Sequence, residues 1–153
     1  MMLAAAAAGA SLPLVYLWAK SHERAILQTG RELTPDEITD AERVGVRHPE
    51  RVRLSVVAVV PPRLPRFLRK VGGRLALGPS TTAGMALGYG IFLRADRGDS
   101  RRLLIHELAH TAQYERLGFR RFLYQYLHEC FGAGYPCGQL ELEAQKVAQE
   151  LCE

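Results

Sequence analysis

The feature that most constrains this chain is the stretch Leu103 to Gln113, LLIHELAHTAQ, which carries His106, Glu107 and His110 in the order H-E-L-A-H. On an α-helix, side chains four residues apart stand one above the other, so the spacing directs two imidazoles at a single point. Leu103, Leu104, Ile105, Leu108, Ala109 and Ala112 surround these polar residues. That pattern predicts a helix buried except along one functional stripe. Polar side chains amid such burial need a reason. A metal supplies one: neutral imidazole suits zinc, and a catalytic zinc site takes three protein ligands and leaves one position open. Glu107, beside the pair, is placed to take a proton from water that the metal acidifies. Two histidines packed or exposed on an ordinary amphipathic helix is the bland alternative.

The third ligand must come from further along. Gly118 ends the histidine helix, with Arg116 in its last turn. Phe119, Phe122, Leu123, Tyr126, Leu127 and Cys130 then recur at helical spacing and predict a packing strut. The run GAGYPCG over residues 132–138 breaks that pattern, and a last helix is expected from about Gln139. It offers Glu141 and Glu143 as third ligand. Glu141 is preferred because Gln145, one turn on, could hold a histidine ligand in orientation; either glutamate could instead face solvent. Tyr135, in the glycine-rich loop, could approach the substrate oxyanion or simply pack.

HELAH followed by the downstream run Glu141-Leu142-Glu143-Ala144-Gln145 resembles the gluzincin zinc metallopeptidases, whose third ligand is a glutamate on a later helix. Residues 88–118, GYGIFLRADRGDSRRLLIHELAHTAQYERLG, are similar to small HExxH domains in which a strand leads into the active-site helix and a glutamine follows the second histidine. The resemblance covers roughly Ser80 to the C-terminus. It implies zinc held by His106, His110 and Glu141, with Glu107 as general base. Many gluzincins carry E-x-x-A-D at the third ligand; Gln145 stands here in place of the aspartate.

The rest of the chain completes the expectation. At 153 residues and 48% hydrophobic composition it suits one domain and is short for two. Residues 1–19 form an apolar, alanine-rich run ended by Lys20, set apart from a single zincin-like domain over residues 20–153. Spanning a bilayer takes about 18 to 20 apolar residues, so the run reads either as a membrane anchor with Lys20 and Arg24 on a cytoplasmic side or as a helix packed on the domain. Thr34-Pro35-Asp36-Glu37 signals a capped helix over Pro35–Val44, ended by Gly45. Strands are expected at Val52–Val60, as the central one, at Arg74–Leu77, and at Ala86–Arg94 as an edge strand along which an extended peptide could pair. Asp99 or Ser100 would cap the histidine helix. A net charge of +4, with scattered arginines and no aromatic-interleaved basic motif, gives no sign of a nucleic-acid partner. Three cysteines without C-x-x-C argue against a disulfide framework and for a reducing compartment.

The expected fold is therefore α+β: a short sheet packed on the HExxH helix, with two C-terminal helices completing the core. The expected function is zinc-dependent hydrolysis of a peptide or protein substrate. Its rivals are a catalytically silent zinc-stabilised binding domain and a membrane-associated scaffold driven by the N-terminal run.

Overall fold

The computed structural model describes residues 2–62, 82–132 and 138–153. Among these residues it is an α+β arrangement of five α-helices around one four-stranded mixed sheet. The helices are α1 (Met2–Thr29), α2 (Pro35–Val44), α3 (Arg101–Leu117), α4 (Phe119–Gly132) and α5 (Gln139–Cys152). The strands are β1 (Arg31–Glu32), β2 (Arg53–Val57), β3 (Gly84–Leu87) and β4 (Gly90–Arg94), in spatial order β1-β2-β4-β3. β2 and β4 run parallel; both outer pairs are antiparallel.

The strand expected over Val52–Val60 stops at Val57, because its partner β4 ends at Arg94, the residue paired with Val57, and turns into a short 3-10 helix. Without a ladder, β-branched residues alone do not extend a strand. The single edge strand expected over residues 86–94 is instead the hairpin β3–β4, turning at Gly88 and Tyr89. Gly88 has φ +67°, the left-handed conformation that glycine adopts without steric cost. The edge is thus β3, and β4 is interior, buried from Gly90 to Leu93. The strand expected at Arg74–Leu77 and the connector before it lie outside the described residues.

Helices cover both faces of the hairpin. A Cβ on Gly90 would lie 3.0 Å from Ile26, and the Phe92 ring meets His22 at 5.8 Å, which places α1 on one face. Gly84, Ala86, Ile91 and Leu93 share the opposite face by register, and α3 lies there. α4 packs along α1, and α5 along α3. α1 runs unbroken through the boundary expected at Lys20 and buries Ala8, Leu12, Val15, Ala19 and Ile26. Its outer side leaves Leu14 and Leu17 exposed. Among the described residues no helix is long and apolar enough to cross a membrane.

Local signals fix the remaining boundaries. Thr34 caps α2 in a full capping box with Glu37, and Gly45 closes the helix at φ +97°. Ser100 Oγ accepts the Leu103 N–H at the start of α3. Asp40 and Arg101 pair through two hydrogen bonds of 2.7 and 2.8 Å, fastening α2 to α3.

Candidate metal centre

Helix α3 turns an unusual set of side chains inward: Glu107, His110, Thr111 and Gln113 are all buried. Each needs a partner there. Thr111 donates to the Gly88 carbonyl at 3.0 Å, tying the hairpin turn to the helix. His106 and His110 converge as their spacing requires, with Nε2 atoms 3.2 Å apart. Glu141, from the first turn of α5, faces them: its Oε2 is 3.4 Å from His106 Nε2 and its Oε1 is 3.3 Å from His110 Nε2.

The Glu141 carboxylate is 4% exposed. Tyr126 of α4 donates a 2.9 Å hydrogen bond to Oε1, but Oε2 is buried with no hydrogen-bond partner of its own. Burial pushes this carboxyl up; the two imidazoles facing it outweigh that and hold it well below the usual carboxylate range. A buried anion with an empty lone pair beside two imidazole nitrogens is a donor set short of a cation. His106, His110 and Glu141 are the group that could hold a metal ion among the described residues.

The other candidates separate cleanly. Glu143, the alternative third ligand, is drawn outward by Arg116, which it meets through hydrogen bonds of 2.8 and 2.9 Å. Gln145 is exposed, because the buried face of α5 runs through Leu140, Glu141, Ala144 and Ala148. The histidine-orienting role expected of it falls to Gln113, whose Oε1 lies 2.8 Å from His110 Nδ1. The Gln113 amide nitrogen donates to the Leu140 carbonyl at 2.9 Å and to Glu143 Oε2 at 3.1 Å, leaving its oxygen to accept. His110 Nδ1 therefore carries a proton, and the Nε2 atom faces Glu141 and His106. Tyr135 lies outside the described residues.

Glu107 is buried beside the ligands, where desolvation raises its carboxyl to about 7 against the pull of His106. The Ala86 backbone of β3 hydrogen-bonds to it. Gly84 leaves room for it: a Cβ there would come within 2.5 Å of Glu107 Oε1. These supports, and Tyr126, were not singled out from the sequence. Gln113 carried a signal, standing one turn after His110 on the same face. Gly84 and Tyr126 carried none, since their roles depend on how β3 and α4 dock.

A cavity of about 110 Å³ opens beside the ligands, walled by β3, α3, α4 and the Val15–Ala19 turn of α1. The arrangement could hold a cation and keeps a carboxyl of shifted acidity next to it. No protein-family model, curated protein or solved structure matches the chain, so the chemistry of this centre is read from its own donors.

Proposed function

We propose that the chain is a zinc-dependent metallopeptidase of gluzincin type, with zinc held by His106, His110 and Glu141. The observation that carries the reading is the orphaned Glu141 oxygen closing a ring of three donors. The two histidine Nε2 atoms are 3.2 Å apart, and each faces a different oxygen of Glu141, Oε2 at 3.4 Å from His106 and Oε1 at 3.3 Å from His110, so one ion could reach all three side chains. Two neutral imidazoles and one carboxylate are also a donor set that zinc favours over the hard cations.

Zinc bound there would acidify water and polarise a carbonyl oxygen. The protein's own residues do the rest. Gln113 fixes the His110 ring and its tautomer, and Tyr126 orients the Glu141 carboxylate. Glu107, held by Ala86 against the glycine at 84, takes the proton of the attacking water on a carboxylate oxygen and returns it to the leaving amine nitrogen. The same three ligands tie α3 to α5, which supports a second reading, a structural zinc site without turnover.

The test is elemental analysis of the zinc-loaded wild type, His106→Ala, Glu141→Ala and Glu143→Ala proteins. About one zinc per chain is expected in the wild type and Glu143→Ala, and little in the other two. Absence of zinc in the wild type sinks both readings. Glu107→Gln should keep its zinc and lose cleavage of a peptide library; undiminished cleavage by it would remove the peptidase mechanism, and a wild type that binds zinc yet cleaves nothing would leave the structural site.

A further inference from the structure

The cavity beside the ligands has a wall that the metal site itself does not need. Val15, Trp18 and Ala19 of α1 form one side, and Met85, Leu123 and Leu127 face into it from β3 and α4. Among the described residues no lysine, arginine or aspartate lines it; the titratable side chains of its lining that belong to the metal centre are His106, Glu107, His110 and Glu141. Of the three α1 residues at the cavity, Val15, Trp18 and Ala19, the fully buried Ala19 presents only a methyl group to it.

We propose that this cavity receives an apolar side chain of the substrate, and that α1 sets its depth through Ala19 and Trp18. This rests on the peptidase reading above. A charged side chain entering here would shed its water against a wall of Val15, Ala19, Met85, Leu123 and Leu127, none of which can replace it. An aliphatic one gains about 0.8 kcal/mol for each methylene buried, roughly fourfold in affinity. Size narrows the choice further. A cavity of about 150 Å³ accommodates benzene. One of about 110 Å³, part of which belongs to the reacting groups, suits a side chain of valine or leucine size and is too small for an indole.

The experiment is calorimetric titration of the zinc-loaded full chain with acyl hydroxamates, which grip the metal and carry the acyl group as a variable tail. Acetyl, propionyl, butyryl, isovaleryl and succinyl hydroxamates form the series. Affinity should rise by about three- to fourfold per added methylene up to isovaleryl and drop for the acidic succinyl tail. Ala19→Leu should abolish that rise while binding acetohydroxamate within about twofold of the wild type; Trp18→Ala should extend the rise to longer tails. A wild-type protein that binds acetohydroxamate with no dependence on tail length overturns the pocket and leaves the zinc site standing. So does an Ala19→Leu protein that keeps the full rise. A chain that takes up no zinc and binds no hydroxamate overturns both.

Discussion

Two buried glutamates, Glu115 and Glu141, show how differently one residue type can be used. Their side chains are 4% and 5% exposed, and each packs between α3 and another segment. Glu115 is fully partnered: Oε2 accepts the Arg47 backbone N–H at 2.7 Å, and Oε1 accepts the His48 N–H at 3.1 Å and the Tyr89 hydroxyl at 2.9 Å. That carboxylate is a clamp joining the loop after α2 and the hairpin turn to the helix. Glu141 has one hydroxyl donor on Oε1 and none on Oε2. Where both oxygens are met by protein donors, a buried carboxylate is a structural clamp; where one oxygen lacks such a donor and two imidazoles lie beside it, the group could hold a cation.

The sharpest way to break this contrast is to replace each glutamate by leucine. Glu141→Leu should abolish stoichiometric zinc uptake and lower the unfolding free energy of the metal-free protein by less than Glu115→Leu does, because only Tyr126 among the described hydroxyl and N–H donors loses its acceptor. Glu115→Leu should retain one zinc and lose about 3 kcal/mol, since three donors are left without their acceptor. Urea unfolding of the metal-free proteins and elemental analysis of the loaded ones check both halves. Equal destabilisation by the two substitutions would dissolve the distinction.

Much of this contrast lay beyond a reading of the sequence, for physical reasons. The histidine helix, its capping by Ser100, the capping box of Thr34 with Glu37 and the stops at Gly45 and Gly118 all follow from local rules, and the structure has each of them. The two ends of the metal site differ. His106 and His110 are fixed relative to each other by one helix, so their convergence is local. Glu141 against Glu143 depends on the rotation of α5 against α3, which Arg116, Gln113 and the packing of Leu140 and Ala144 decide together. The hairpin is not legible locally, because glycines at 88 and 90 suit an edge strand open to another backbone as well as a turn between two strands. The composition of residues 1–19 suits an anchor or a packed helix equally; that Tyr16 meets Phe119 of α4 is a tertiary fact.

The intermediate effects concern the residues that hold the site without belonging to the donor set. Gly84→Ala puts a methyl group where the Glu107 carboxylate lies and should cut kcat about 100-fold, while zinc content stays at one per chain. An unchanged kcat would mean that Glu107 has room the structure does not show. Gln113→Leu removes the acceptor from His110 Nδ1 and should weaken zinc about tenfold, read by competition with a chromogenic chelator. Zinc affinity equal to that of the wild type would show that the ring needs no outer partner.

A third carboxylate extends the comparison to the surface, where the smallest effect is expected. Glu37 is as fully partnered as Glu115: it accepts two hydrogen bonds of 2.8 Å from Arg31 and one of 2.8 Å from the Thr34 backbone. Its pairing with Arg31 holds its carboxyl below the ordinary value of 4.5, against the opposing effect of burial. Because the folded value is the lower one, the stabilisation is complete above the ordinary value and fades as the pH falls through the depressed one. Solvent reaches both partners, so the pair is worth less than about 1 kcal/mol, and Thr34→Ala, which removes the cap hydroxyl, should cost about 1 kcal/mol. Urea unfolding of the wild type and Glu37→Gln at pH 7 and again near pH 3 should show a gap that closes in acid. A gap that persisted there would mean that Glu37 acts through the shape of the cap, not its charge, and satisfaction without burial would then count for nothing electrostatic in this fold.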